Sequence, residues 1–230
     1  MGLTDTPVRI AVQESGAIEP GLRDDIVALF RASYRDADAS YIDTSAERLR
    51  YVATAHADGT LVGFGFGETR IVPLPRMDEA QVVALAGISC VDAGVRQRGL
   101  FSEMAMKTLS QGGHIPSDRS FLFCGRMAHA LSYRTIRRMT PHCVPAPGVA
   151  ISSWQQEMIV VVARLFGVDV DPTTGIVAGS GVPVGFPRVA FTPTPEERVL
   201  FAGVDRTRGD SLLTMAWLPT SPPGWDDAEA

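Results

Sequence analysis

The spacing of apolar and polar residues changes several times along the chain, and each change marks an element. Residues 7–13, PVRIAVQ, alternate and predict a strand. Residues 20–36 place Ile26, Val27, Leu29, Phe30 and Tyr34 on one side, with Pro20 near the start, which predicts a helix. A short helix is expected to begin near Ser45, with Glu47 in its first turn. From Arg50 to Val72, two alternating runs flank the tight-turn pair Asp58-Gly59, which predicts a β-hairpin. Its second arm sets Gly63, Gly65 and Gly67 between Val62, Phe64 and Phe66. One face of that strand therefore carries no side chains, which suits close approach by another group or close packing.

Residues 81–91, QVVALAGISCV, form a continuous apolar run rich in branched side chains, the pattern of a buried strand. It runs into a turn carrying Arg96, Arg98 and Gly99. A helix follows at once, with Leu100, Phe101, Met104, Ala105 and Leu109 on its apolar side, and Gln111-Gly112-Gly113 and Pro116 end it. Residues 120–125 predict another buried strand, 129–139 a helix stopped by Pro141 and Pro145, and 151–166 a helix with Trp154, Met158, Val161, Val162 and Leu165 on one face. Residues 170–195 read as loops with short strands. SLLTMAWL, after an RTRGD turn, reads as a late strand, and SPPGWDDAEA as a flexible tail. A hairpin followed by strand–helix–strand–helix predicts an α/β (α+β) fold: a mixed, mostly antiparallel central sheet flanked by helices.

Composition narrows the partners. The net charge of -5 leaves no broad basic face for nucleic acid. No apolar run approaches the roughly 20 residues that cross a bilayer. The three cysteines, Cys90, Cys124 and Cys143, are odd in number and lack C-x-x-C spacing, and neither they nor the histidines show a metal-ligand pattern. They are expected to be buried thiols of a cytoplasmic protein. Lys107 is the only lysine, so arginine supplies nearly all positive charge.

The junction at 91–102 carries the most chemistry. A glycine turn opening a helix exposes backbone N–H groups that lack helical acceptors, and the dipole adds positive character there. Arg96 and Arg98 beside it oppose that dipole unless an anion is present. Together these features predict a phosphate site.

The element order, with Val91–Phe101, resembles the GCN5-related N-acetyltransferase (GNAT) superfamily. Its signature reads roughly V-x-P-x-[YF]-[RQ]-x-x-G-[ILV]-[GA]. Val91, Arg96, Gly99 and Leu100 match it, while Ala93 stands for the proline and Phe101 for the small last residue. The resemblance covers residues 7–140. It implies an acyl-CoA N-acyltransferase-like fold with a C-terminal extension, acetyl-CoA or another acyl-CoA as donor, and no metal. By the same resemblance, Ser89, Cys90 and Val91 pair with the pantetheine arm and polarise the thioester carbonyl. The amides of Gln97, Arg98, Gly99, Leu100, Phe101 and Ser102 hold the pyrophosphate. In CGRMAHALSYR, His129 stands where relatives often have Asn, and Tyr133 where they have the tyrosine that protonates the departing thiolate.

An acceptor amine must lose a proton, and an alkyl amine is neutral in only roughly one part in 2,500 at pH 7. Candidates for the base are Glu68, His129 and Asp92. Pro147, Trp154, Phe186 and Trp217 either line an apolar acceptor pocket or pack the core. The expected division is a core at 1–140, a part at 141–219 that completes the sheet and covers the acceptor side, and a tail at 220–230. The expected reaction is direct transfer of a short acyl group to the amine of a small molecule, by a single chain or a homodimer. Three rivals stand beside it. One is an acyl carrier protein as donor, docked by Arg96, Arg98, Arg134, Arg137 and Arg138. The others are a non-catalytic acyl-CoA-binding module and altered thioester chemistry on the same fold.

Overall fold

The computed structural model describes residues 7–96, 99–115 and 119–226. The chain forms two compact units. The first comprises Met1–Thr69, Ala86–Gly113 and Val184–Val189, and the second Arg70–Leu85, His114–Pro183 and Ala190–Ala230. The expected break at residue 140 does not coincide with this division, because the chain crosses between the units within its long strands.

In the first unit, β1 (Val8–Glu14), β3 (Tyr51–Ala57), β4 (Thr60–Val72) and β5 (Gln81–Val91) lie in that order. The β1–β3 and β3–β4 pairs are antiparallel. Asp58 and Gly59 join β3 to β4 with φ of 48° and 77°, the two left-handed residues that a tight hairpin turn requires. Helix α1 (Pro20–Ser33) begins on Pro20 and buries Ile26, Val27, Leu29 and Phe30. It ends at Ser33 because Tyr34–Arg35, strand β2, pairs with β9 (Phe186–Pro187).

Helix α2 spans Ser40–Arg48, five residues earlier than its expected start. The Asp38 carboxylate accepts from the Ser40 N–H and hydroxyl at 3.0 and 2.7 Å, which fixes the start there. Ser45 lies mid-helix and its hydroxyl donates to the Tyr41 carbonyl. Helix α3 (Leu100–Ser110) lies on a floor of small residues. Ala53, Ala55 and Ala57 of β3 share a buried cluster with Val62, Val95, Leu100 and Met104. The glycine face of β4 serves this packing. A Cβ at Gly63 would stand 3.0 Å from Met104 Cε, and one at Gly65 would stand 2.7 Å from Ser89 Oγ.

In the second unit the order is β5, β6 (Phe121–Met127), β10 (Ser211–Leu218) and β7 (Cys143–Val144), with β8 (Ile176–Val177) also on β10. The pairs that β10 makes with β6, β7 and β8 are antiparallel. The architecture is thus the expected α/β fold, a mostly antiparallel sheet flanked by helices. Helix α4 spans Ala130–Arg137. Helix α5 (Ser153–Phe166) starts with a capping box between Ser152 and Gln155 and ends at Gly167 in the left-handed region. Its buried face includes Ile159, Ala163 and Phe166, while Val161 and Leu165 are half-buried.

Helix α6 (Pro195–Leu200) was not expected, though its signal stands in the sequence: Thr194, Pro195, then Glu197 as a second capping box. The predicted flexible tail needs correction as far as Asp226. Trp225 is fully buried, 5.5 Å from the Trp154 ring and 6.1 Å from that of Trp217, and Gln155 donates to its carbonyl at 2.7 Å. Burying an indole stabilises by about 2–3 kcal/mol, which helps to hold this proline-bearing segment against the core. Residues 227–230 lie outside the described residues.

Candidate functional site

Strand β5 leads to the predicted phosphate junction through a turn built from backbone and side-chain bonds. The Asp92 N–H donates to the Val62 carbonyl, and the Asp92 carboxylate accepts from the Gly94 N–H at 2.7 Å. Asp92 thus serves the turn. Val95 is fully buried and pins the turn to the core. The Arg96 Nε donates to the Val91 carbonyl at 3.1 Å, which holds the guanidinium against the end of β5. Gln97 and Arg98 lie outside the described residues.

Gly99 caps α3 with φ 73°, and a Cβ there would meet nothing within 4 Å. The glycine is needed for its left-handed backbone, not for space. The first helical bond of α3 runs from the Glu103 N–H to the Gly99 carbonyl. The amides of Leu100, Phe101 and Ser102 precede it and have no acceptor within the helix. Leu100 is buried and anchors the helix, Phe101 is 43% exposed, and Ser102 is exposed.

Ser89 is half-buried over Gly65, whereas Cys90 is buried, its thiol directed at the Leu29 carbonyl. Burial pushes the Cys90 thiol up to about 11, so it is not a nucleophile at neutral pH. Cys124 and Cys143 are likewise buried free thiols, raised for the same reason. The first unit thus brings Ser89, Cys90, Val91, Arg96 and Gly99–Ser102 together on one strand–turn–helix. Glu68 belongs to the same unit, as a buried carboxylate on β4.

His129 and Tyr133 belong to the second unit. His129 caps α4, its Nδ1 accepting from the Leu131 N–H at 3.1 Å. That bond places the proton of the neutral ring on Nε2. Burial, then the nearby Arg206 charge, lower its pKa and keep the ring neutral. Tyr133 is 2% exposed, and its hydroxyl donates to the Pro145 carbonyl at 3.1 Å. Burial pushes the phenol up to about 12, so it stays protonated, as a general acid must, but it is secluded.

Arg134 and Arg137 are engaged within the unit. Arg134 grips Glu197, and Arg137 bonds the carbonyls of Thr140 and Pro141. Trp154 and Trp217 are buried, and the Trp154 indole N–H donates to the Pro75 carbonyl, so both are core residues. A cleft of about 450 Å³ between α1 and the β3–β4 turn, lined by Asp25, Ala28, Leu29 and Thr60 among others, holds none of the candidate residues. Among the described residues, no cluster of His, Cys, Asp or Glu could hold a metal ion, and no helix is long and apolar enough to cross a membrane.

No protein-family model matches the chain, and no curated protein matches it. Several solved structures are similar in part. A GNAT family N-acetyltransferase from Escherichia coli, in complex with CoA, is 22% identical. That likeness covers 57% of this chain and 69% of that one, with a TM-score of 0.39. An aminoglycoside N-acetyltransferase in complex with CoA is 11% identical over 84% of this chain and 99% of its own, with a TM-score of 0.40. Arabidopsis thaliana NAA60 in complex with acetyl-CoA is 13% identical over 57% of this chain and 85% of its own, with a TM-score of 0.39.

Proposed function

We propose that this chain is a GNAT-type N-acyltransferase that moves an acetyl or other short acyl group from an acyl-CoA to the amine of a small molecule. The observation that carries the reading is the strand–turn–helix of the first unit. Gly99 opens α3 in a left-handed conformation, the three amides that follow it lack acceptors within the helix, and Arg96 in the same turn is held on the Val91 carbonyl. Those amides and the Arg96 guanidinium hold the diphosphate. Backbone groups at Ser89–Val91 take the pantetheine arm and stabilise the oxyanion.

The acceptor nitrogen attacks the thioester carbonyl, a C–N bond forms, the C–S bond breaks, and the departing thiolate is protonated by a general acid, the role that the sequence resemblance gives to Tyr133. Glu68 takes the proton that the amine loses. Deprotonating an alkyl amine at pH 7 costs about 4.6 kcal/mol, which a positioned carboxylate offsets in part. Of the arginines that a carrier-protein donor would use, Arg134 is already paired with Glu197 inside the second unit.

Calorimetric titration with CoA tests the reading first. Wild type is expected to bind, and Arg96→Ala with Gly99→Asp to lose at least tenfold in affinity. Unchanged affinity in that variant removes the phosphate site. Free-thiol release from acetyl-CoA, with and without an amine library, tests the transfer. Release that ignores the amine excludes it.

A further inference from the structure

The segment 191–201 seats on helix α4 at three points. Phe191 lies 5.0 Å from the His129 ring and 4.4 Å from the Arg134 guanidinium carbon. Glu197 receives Arg134 Nε at 2.7 Å and Nη2 at 2.5 Å, a fork-on-fork pair. Phe201 meets the Tyr133 ring edge-on at 6.1 Å. Between these points α6 faces solvent: Glu196 and Arg198 are exposed, and Val199 is 73% exposed. Glu197 is the one buried residue of α6, so the buried anchor within the helix is a carboxylate, with Phe191 and Phe201 making ring contacts on either side of it.

A part-buried ion pair fixes register but adds modest net stability, since losing water offsets much of its attraction. A short helix held in this way opens locally more readily than one held by apolar burial. We propose that residues 191–201 form a detachable lid over α4, latched by Arg134 to Glu197, whose opening uncovers Tyr133 and His129. The purpose of the lid rests on the acyl-transfer reading; the lid itself does not. In the closed state Phe201 packs edge-on against the Tyr133 ring and Phe191 lies against that of the half-buried His129.

Hydrogen exchange of the full chain, followed by mass spectrometry, tests the latch. Arg134→Met is expected to accelerate exchange in 191–201 by tenfold or more, with β6 and β10 unchanged. Glu197→Gln keeps the size and the capping oxygen, and is expected to accelerate the same segment by at least threefold. No local acceleration, or equal acceleration in β6 and β10, overturns the lid; if Arg134→Met does not fold, Glu197→Gln carries the test alone. Local acceleration that leaves amine-dependent thiol release unaltered upholds the lid and removes the role given to Tyr133.

Discussion

Arg96 Nε donates to the carbonyl of Val91, five residues earlier, and so ties the end of β5 to the turn that opens α3. One side chain thereby joins the strand proposed to hold the acyl arm to the helix proposed to hold the phosphates. A lysine cannot reproduce this, since it has a single ammonium group and no Nε donor. Arg96→Lys is expected to keep the fold and lose about tenfold in CoA affinity, read by calorimetry.

Gly99 separates backbone strain from space. With φ at 73° and open space around a Cβ, Gly99→Ala is expected to cost about 1 kcal/mol of stability without a clash. Chemical denaturation checks this, and an unchanged midpoint excludes the left-handed cap.

Tyr133→Phe removes the bond to the Pro145 carbonyl and leaves that carbonyl without its donor. The expected loss is about 1 kcal/mol of stability. Amine-dependent thiol release is expected to fall by roughly a hundredfold, the lower end of the range for a general acid. Lost stability with full turnover assigns Tyr133 to packing alone.

The hydrogen bonds from Arg134 hold the Glu197 carboxyl below the usual carboxylate range, and the Thr194 N–H adds to this. A carboxyl depressed in the folded state stabilises above its unfolded value, about 4.3, and that contribution disappears as pH falls through the lower folded value. Melting temperature is therefore expected to drop on acidification below about pH 4, and less so in Glu197→Gln. The difference between the two curves isolates this group from Asp43, which Arg23 depresses in the same direction.

Trp225→Ala empties the space between Trp154 and Trp217 and is expected to cost about 3 kcal/mol in urea unfolding. A change near zero restores the flexible tail that composition alone suggests.

Local periodicity and turn chemistry were legible in the chain by itself. The hairpin at Asp58-Gly59, the run 81–91, the helix opened by Gly99 and the late strand SLLTMAWL each depend on interactions within a few residues. Their signals therefore lie in neighbouring side chains. The capping boxes at Ser152 and Thr194 are equally local, and α6 was legible in TPEE. Other outcomes came from residues far apart in sequence. Trp225 is ordered by Trp154 and Gln155, about seventy positions away, so no window around it shows that it is buried. Tyr133 is secluded by Pro145 and Phe201, and Arg134 is neutralised by Glu197. The residue types at the junction of β5 and α3 suggested the proposed chemistry, because a glycine, a helix start and a nearby arginine are local features of the chain. Which of the remaining polar groups face solvent is set by what folds over them, and only the tertiary structure decided that.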